Sequence, residues 1–367
     1  MKKFFTKAHL WLSIPFGLII AIICITGSLL VFENEILEAR YPSRYFVKVS
    51  NAHKLAPSEL LQRVQQNQTE PIQFTGIRIY SEADRTSKLY VSGKGDDLFV
   101  NPYTGEITGK DERSTFFSKV IRLHRFLMHQ PKAGEQRWGK MAVGYSTIAF
   151  IFIIISGLVI WLPRSRKGLK NRLKIKTNAG WFRFWYDLHV TGGFYVAFFL
   201  LAMAFTGLTW SFPWYRTAFY SLLGADMSQG SGHRRGGQTK ERDQKELDTL
   251  YLQWDKVLAE LNIRYPEYKS ITLQDGNASV SATYYGNAGA TDKFTFNKET
   301  GEITNEALYK DSSRYSQLRG WVWAFHSGSW GGMTTRILTC LSAFLGGIFV
   351  ITGYYFWIRK KVKSRRR

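Results

Sequence analysis

Four stretches of this chain contain no Asp, Glu, Lys or Arg, and each is long enough to cross a lipid bilayer as a helix. They are 8–32, 141–163, 188–215 and 337–358. About 20 apolar residues span the hydrocarbon core of a membrane as an α-helix. The apolar residues are concentrated in these blocks, which is why the mean hydropathy of the whole chain stays slightly polar. The sequence excludes a soluble single domain and predicts an α-helical membrane protein with a four-helix bundle.

Most of the net charge of +22 indicates which side of the membrane the loops occupy. Three segments carry many cations and no acidic residue: 1–7, 164–183 and 359–367. With four spans they share one face, which the positive-inside rule assigns to the cytoplasm. We therefore expect a multi-pass membrane protein with both termini in the cytoplasm. We also expect contact with anionic lipid and no nucleic-acid partner.

The predicted order is membrane helix, exported module and membrane helix, repeated once. The predicted boundaries are 8–33 for membrane helix 1, 34–137 for exported module 1 with an outer interfacial helix, 138–163 for membrane helix 2, 164–183 for a basic cytoplasmic loop, 184–215 for membrane helix 3, 216–332 for a linker and exported module 2, 333–358 for membrane helix 4, and 359–367 for a basic cytoplasmic tail. Helix 1 is too long for the apolar part of a signal peptide and lacks a small-residue cleavage site. It is therefore predicted to be a retained anchor.

Both exported regions show a small α+β pattern. The first has a helical pattern at 57–64 and strand-like alternation at 74–80 and 88–92, and the second has a helical pattern at 247–263 and a strand-like stretch at 270–285. They end with nearly the same octet, at 101–108 and 297–304, which differs at two central positions. Residues 228–242 are rich in glycine, serine and charge, so they are predicted to be a flexible linker. These features suggest an internally duplicated chain.

The membrane helices repeat a second pattern, a hydroxyl residue followed by glycine. The four pairs are Thr26-Gly27, Ser156-Gly157, Thr206-Gly207 and Thr352-Gly353. Small residues at these points allow helices to approach closely in lipid. His9 precedes Gly27 by 18 residues, and His189 precedes Gly207 by the same number. The shared spacing supports the duplication.

Four histidines lie at or near the ends of the membrane helices, where an ionisable residue is a functional candidate. His9 and His189 lie near the cytoplasmic boundary, and His124 and His326 lie near the outer boundary. Haem iron accepts one imidazole on each side of the ring, and helix bundles hold such cofactors between facing helices. We therefore predict two b-type haems, with glycines leaving room for the flat macrocycle. The cations that could pair with the haem propionates are Lys7, Arg122, Arg125 and Arg336.

Other interpretations of these histidines stay open from the residues alone. Interfacial histidines often belong to the aromatic belt of a membrane protein. His129 competes with His124 for the outer site, and Pro131 interrupts the path to helix 2. No three-ligand cluster indicates zinc. His53 and His233 lie in polar loops and are expected to be surface residues.

Cysteine usage limits the redox chemistry further. The two cysteines, Cys24 and Cys340, both lie within predicted spans, so the exported regions have no disulfide framework. Neither cysteine belongs to a Cys-x-x-Cys-His motif. Covalent attachment of a c-type haem is therefore excluded.

Short motifs around the four histidines resemble those of the PepSY-associated transmembrane helix family, over nearly the whole chain. They are Lys7-Ala8-His9-Leu10-Trp11, Leu123-His124-Arg125, Asp187-Leu188-His189 and Phe325-His326-Ser327-Gly328, together with the two octets, which resemble the ends of PepSY modules. The family includes bacterial inner-membrane ferric-siderophore reductases. The resemblance implies that His9 with His189, and His124 with His326, are axial ligands of two b haems. It also implies electron transfer to an iron complex outside the cytoplasm.

The function we expect is a di-haem conduit that reduces a ferric-siderophore, or another iron complex, bound between the exported modules in the periplasm. The loop at 164–183 is too short for a flavin or nicotinamide domain, so the donor would be a cytoplasmic protein or a quinol. Two alternatives remain, a quinol-linked cytochrome b serving another periplasmic acceptor and a non-haem PepSY regulatory or scaffold protein. A permease would need polar groups along its spans, which these helices lack centrally.

Overall fold

The structure is a computed structural model, and it describes residues 1–49, 52–93, 96–111, 115–131, 135–163, 165–226, 244–282, 287 and 289–365. The chain forms two compact units. A helical unit comprises Met1–Glu33, Ser114–Gly224 and Trp321–Arg367, and a sheet unit comprises Asn34–Arg113 and Ala225–Gly320. The predicted linker at 228–242, which includes His233, lies outside the described residues.

The helices follow one another in chain order as α1 to α13. They are α1 (Lys2–Val31), α2 (Glu33–Arg40), α3 (Pro42–Tyr45), α4 (Pro57–Gln66), α5 (Thr115–Phe126), α6 (Trp138–Trp161), α7 (Arg166–Arg172), α8 (Trp181–Asp187), α9 (Gly193–Ser211), α10 (Pro213–Leu222), α11 (Gln244–Arg264), α12 (Arg314–Ser327) and α13 (Gly332–Arg365). A π-helical turn, Leu188–Gly192, joins α8 to α9. Short 3₁₀ turns occupy Tyr309–Asp311 and Ser329–Gly331.

Four helical segments are long and apolar enough to cross a membrane, as the sequence predicts. They are Lys2–Val31, Trp138–Trp161, Trp181–Ser211 and Ser329–Ser364. All four begin before their uncharged windows, so that α1 begins at Lys2, and α13 also continues past its window to Arg365. Long basic side chains at helix ends can reach the polar interface while their stems stay in apolar surroundings. The helical structure is therefore longer than the hydrocarbon core requires.

The four spanning helices pack as a ring. Helix α1 packs against α6 and α13, and α9 packs against the same two neighbours. Helices α1 and α9 therefore lie diagonally across the bundle, as do α6 and α13. Side chains that point inward from α1 and α9 face each other across the bundle axis.

The sheet unit contains one antiparallel sheet of eight strands. The strands are β1 (Phe74–Tyr80), β2 (Ser87–Val91), β3 (Leu98–Val100), β4 (Ile107–Lys110), β5 (Tyr268–Gln274), β6 (Asn277–Ala282), β7 (Asp292–Phe296) and β8 (Ile303–Ala307). Their order in the sheet is β4-β3-β2-β1-β5-β6-β7-β8. The predicted strands at 74–80 and 88–92 correspond to β1 and β2, and the predicted stretch at 270–285 overlaps most of β5 and contains β6.

The two halves of the sheet are joined directly, which the sequence does not predict. Strands β1 and β5 pair antiparallel through Gly76–Tyr80 and 270–274. Each half alone would leave one of these strands at an open edge, where unpaired backbone groups favour pairing with another strand. Helices α4 and α11 cover the sheet with a shared apolar core that includes Leu60, Trp254 and Ile77, all fully buried.

The two repeated octets form the same turn. Gly105 and Gly301 have positive φ angles of 79° and 76°, a conformation that glycine adopts without steric cost. The amide of each glycine donates to the carbonyl of the asparagine that opens its octet, Asn101 or Asn297, at 2.9 and 2.8 Å. The predicted turns are therefore present, and their hydrogen bonds are alike in the two halves.

Candidate metal centre

Two of the four candidate histidines meet across the bundle axis. His124 lies near the end of α5 and His326 near the end of α12, and their ring centroids are 6.3 Å apart with an interplanar angle of 62°. Metal–imidazole bonds are about 2 Å long, and an imidazole nitrogen lies about 1 Å from its ring centroid, so a metal bound between two rings separates their centroids by about 6 Å. The observed spacing matches one metal ion held between the two rings.

Each ring of this outer pair is fixed through its Nδ1 atom. His124 Nδ1 lies 3.0 Å from the carbonyl oxygen of Ile23 and 3.1 Å from the hydroxyl of Thr26. His326 Nδ1 lies 3.0 Å from the carbonyl oxygen of Met203 and 3.1 Å from the hydroxyl of Thr206. The partners belong to α1 and α9, the two diagonal helices. The spanning helices therefore hold the histidines that the short helices provide.

The inner pair uses the same atom with different partners. His9 on α1 has Nδ1 3.0 Å from both the Ile153 carbonyl oxygen and the Ser156 hydroxyl of α6. His189 has Nδ1 2.9 Å from the hydroxyl of Thr352 on α13. His189 lies in the π-helical turn, an irregularity that often occurs at functional sites. His9 and His189 extend from diagonal helices and lie within electrostatic reach of each other.

The hydroxyl contacts decide which nitrogen of each ring is protonated. Each hydroxyl also lies within hydrogen-bonding distance of a carbonyl of its own helix, with lengths of 2.6 Å for Thr26 to Ile22, 2.6 Å for Thr206 to Ala202, 3.0 Å for Thr352 to Ile348 and 2.9 Å for Ser156 to Ile153. A hydroxyl hydrogen used in this bond leaves only the oxygen to face the ring, so the ring Nδ1–H donates. Nε2 then keeps its lone pair, which is the form that binds a metal.

The glycines that follow these hydroxyl residues contact the same four rings. A Cβ atom added at Gly27 or Gly207 would lie 3.0 or 3.2 Å from Cε1 of His124 or His326. At Gly157 and Gly353 the corresponding distances, to His9 and His189, would be 3.4 and 3.5 Å. From the sequence, these glycines were predicted to allow close helix packing and to leave room for a macrocycle. The structure shows that each one lets an imidazole lie against the helix backbone.

The two pairs occupy opposite ends of the bundle. His9 and Gly27 lie on the same continuous helix, 18 residues apart, and Gly27 contacts His124. At 1.5 Å per residue this separation is about 27 Å, close to the thickness of a membrane core. The arrangement therefore offers one histidine pair near each boundary of the spanning helices.

This pattern extends over most of the chain, and so does a match to a known family. A family model of the PepSY-associated TM region matches residues 6–360. The chain belongs to this family. No curated protein matches it.

Burial keeps the outer pair of this PepSY-associated protein neutral. Burial lowers the pKa of His124 to about 4. Burial, followed by the nearby His124, lowers the pKa of His326 to about 4. Both imidazoles are therefore uncharged near pH 7, as a metal ligand must be.

Aromatic side chains that the sequence analysis does not place at the site contact both histidine pairs. The Trp210 ring lies 5.0 Å from His326, and Phe349 and Phe356 lie 5.6 and 5.8 Å from His189. The one sequence signal for this role is their spacing from the hydroxyl residues that contact the histidines: Trp210 comes four residues after Thr206. These rings make the surroundings of the imidazoles apolar.

The remaining histidines do not join either pair in the structure. His129 packs on Gly139 at the start of α6, so it does not take the place of His124 opposite His326. His53 lies in the sheet unit, before α4. Among the described residues, no group of three His, Cys, Asp or Glu side chains could hold a metal ion. Two imidazoles per site suit haem better than zinc, because the macrocycle supplies the other ligands of the iron.

The cations predicted to pair with propionates have varied surroundings. Arg336 contacts the Val31 carbonyl and stacks on Phe32, with Cζ 5.0 Å from the ring centroid. Arg122 donates to the Ser118 carbonyl at 3.2 Å. Arg125 lies over the ring of Phe126, and Lys7 is exposed. These contacts neither require nor prevent an additional carboxylate partner.

A cavity lies among the described residues of the sheet unit, where the iron complex was expected to bind. It lies between α4, α11 and the joined strands β1 and β5, and its lining includes Leu60, Leu258, Ile77 and Tyr268. Its volume is about 270 Å³. Pockets for drug-sized ligands measure roughly 300–1,000 Å³. The volume of this cavity lies just below that range.

Proposed function

We propose that this protein is a di-haem b electron conduit that carries single electrons across a bacterial inner membrane and reduces a ferric-siderophore on the periplasmic side. The observation that carries the proposal is the pairing of four histidines, each fixed at Nδ1 and each leaving Nε2 for a metal. A bound haem supplies a one-electron Fe(III)/Fe(II) couple.

The residues are suited to holding such a cofactor rigidly. The spacing of the His124 and His326 rings, 6.3 Å between centroids, would accommodate one metal ion. Each ring contacts a glycine, a hydroxyl and a carbonyl oxygen. Hydrogen bonds to the second nitrogen of a ligating histidine fix its orientation and raise its basicity. Because the Nδ1 proton is already held by oxygen acceptors, the ligands need not gain or lose a proton during electron transfer.

The proposed direction of transfer follows from charge and chemistry. The basic segments would lie in the cytoplasm, where His9 and His189 would hold the haem nearest to the electron donor, a protein or a quinol. His124 and His326 would hold the haem nearest to the Fe(III) of the substrate. One electron converts one Fe(III) to Fe(II), and the siderophore then releases the iron because Fe(II) is the softer and weaker Lewis acid. The duplicated order of helix, module and helix would give each membrane face its pair.

The test starts with spectra of full-length protein purified in detergent after expression with ample haem. We expect b-type bands on reduction with dithionite and two haems per chain in a pyridine haemochrome assay. Reduced protein mixed with a ferric-siderophore and an Fe(II) chelator should reoxidise and yield one Fe(II) per electron lost. A colourless protein would contradict the proposal and favour a non-haem scaffold. Reoxidation by another acceptor alone would favour the quinol-linked cytochrome.

A further inference from the structure

A cluster of four cations lies at the end of the helical unit that carries the outer histidine pair. Arg125, Arg137 and Arg216 all lie within electrostatic reach of Lys140. The lysine is half-buried, and the three arginines are exposed. The positive-inside rule predicts few cations at this end of the bundle, because the other end carries the basic loop and tail. A role in membrane topology therefore does not explain the cluster.

Close packing at two glycines brings the cluster together. Gly139, beside Lys140, packs on the backbone carbonyl of Phe126, the residue after Arg125. Gly144, one turn further along α6, packs on the Phe212 ring, with a Cβ-to-ring distance of 2.6 Å for an added Cβ atom. Arg216 follows Phe212 by one turn. The end of α5 and the beginning of α10 are thus held against the first part of α6.

The connection after α5 has an unusual backbone. Leu127 and Met128 have positive φ angles of 49° and 64°, a conformation that residues other than glycine rarely adopt. Such strain persists only where the surrounding structure enforces it, and it is concentrated at functional sites. Here the two residues turn the chain so that Arg125 stays beside the start of α6.

No acidic side chain compensates these charges in the part of the chain that the structure describes. None of the four cations forms an ion pair there, whereas Lys88 binds two aspartates and Arg264 binds two glutamates. Arg137 and Lys140 also lie at the positive end of the α6 dipole, which disfavours cations. The cluster therefore repels itself, and an anion bound to it would be stabilised by every member.

We propose that this cation cluster, defined as Arg125, Arg137, Lys140 and Arg216, binds the carboxylate groups of an anionic ferric chelate. The inference rests on the proposed function and narrows its substrate to carboxylate-type, negatively charged complexes. Arginine binds carboxylates through two parallel hydrogen bonds, and lysine adds a point charge. Because Arg125 directly follows His124, the bound chelate lies beside the outer histidine pair.

Binding is measured with gallium(III) citrate, which has the charge of the ferric chelate but accepts no electron. The haem-loaded, full-length protein is placed in nanodiscs of neutral lipid, and bound gallium is counted after equilibrium dialysis. We expect saturable binding that weakens with salt. The double variant Arg137→Glu/Arg216→Glu should bind at least about tenfold more weakly, because the variant opposes the anion with like charge. Arg137→Gln/Arg216→Gln should lie between this variant and the wild type.

A matched charge reversal in the sheet unit, Lys269→Glu/Lys293→Glu, serves as the control, since both lysines are exposed strand residues. It should leave gallium citrate binding unchanged. Equal loss in the control and the cluster variants would overturn the proposal, as would unchanged binding in the cluster variants. So would equally strong, cluster-dependent binding of a cationic gallium trihydroxamate.

Two other anions could occupy the cluster, and the same samples distinguish them. If the variants lose haem or change its spectrum while gallium citrate binding stays intact, the cluster pairs with a haem carboxylate and the proposal fails. If no binding occurs in neutral lipid and the variants lose a co-purified anionic lipid, the cluster holds a headgroup and the proposal fails. Haem content is measured separately, so the absence of haem would refute the conduit without deciding the gallium result.

Discussion

In both the inner and the outer histidine pair, each ring is held at its Nδ1 atom, but the histidines are carried by different kinds of element. The inner histidines are part of the spanning segments themselves, and one of them lies in a π-helical turn. The outer histidines come from α5 and α12, outside the four spans. In both pairs a spanning helix provides a hydroxyl and a glycine. The feature that recurs is thus the hydroxyl residue and glycine that contact each ring. The element of the chain that carries the histidine differs between the two pairs.

The supports also differ in tightness. Each outer ring contacts a carbonyl oxygen and a threonine hydroxyl. A Cβ atom added at its glycine would lie 3.0–3.2 Å from the ring carbon Cε1. His9 has a serine in place of the threonine, and His189 has the Thr352 hydroxyl at 2.9 Å together with a backbone hydrogen bond to Phe349. A Cβ atom added at the inner glycines would lie 3.4–3.5 Å from the corresponding ring carbon. The outer pair is therefore more closely fitted than the inner pair.

The largest expected effect comes from removing one histidine at a time. His326→Ala should abolish the outer haem and His189→Ala the inner haem, so that each variant retains about one haem of two, because haem held by one imidazole is bound less tightly. Pyridine haemochrome counts and redox titration measure this. His129→Ala is the control and should keep both haems. Equal loss at both centres from either variant would break the distinction between the pairs.

Adding one methyl group at the glycines tests the difference in fit. Gly27→Ala and Gly207→Ala should displace the outer ring and lower the occupancy of the outer haem, because the added carbon falls inside ordinary contact distance. Gly157→Ala and Gly353→Ala should keep both haems, because their added carbons meet the inner rings at ordinary contact distance. Haem counts on purified protein decide the matter, and a larger loss from the inner pair of substitutions would reverse the comparison.

Loss of a hydroxyl acceptor should change a reduction potential without loss of haem. Thr352→Val removes the shortest Nδ1 contact of His189, which makes the imidazole a weaker electron donor and raises the potential of the inner centre. A hydrogen bond of about 0.5–1.5 kcal/mol corresponds to roughly 20–60 mV for one electron. Spectroelectrochemical titration measures this. A shift of the outer potential instead would show that the hydroxyl acts at a distance.

The smallest expected effect is that of Ser156→Ala. His9 loses one Nδ1 acceptor but keeps the Ile153 carbonyl at 3.0 Å. The upward shift of the inner potential should therefore be smaller than for Thr352→Val, below about 20 mV for a partly compensated hydrogen bond. Ser156→Thr is the matched control, because it retains the hydroxyl. Equal shifts for Ser156→Ala and Thr352→Val would mean that the carbonyl contributes nothing.

The inner pair follows from the sequence more readily than the outer pair. His9 and His189 lie the same 18 residues before the glycines of their own helices, so counting along a helix finds them. His124 and His326 cannot be found this way, because the chain leaves α5 through two residues with positive φ and leaves α12 through Gly328, also at positive φ. Counting residues assumes a continuous helix, and these turns interrupt it.

The glycines illustrate a second limit of sequence reasoning. A missing side chain at Gly27 or Gly353 indicates that something approaches the helix closely, and the sequence pattern alone favours another helix. What occupies the space is decided by residues far away in the chain. The joining of β1 to β5 has the same cause, since the sequence pattern predicts each strand but not the strand with which it pairs.

The oxygen acceptors around Nδ1 also have a consequence for energy coupling. Because each ring has its proton fixed, an electron that moves between the two pairs carries its full negative charge along about 27 Å of helix, without a compensating proton. Such a movement responds to the membrane voltage, at about 2.3 kcal/mol per charge for each 100 mV crossed. In a cell whose interior is negative, export of the electron through this bundle would be driven by the voltage and would dissipate part of it.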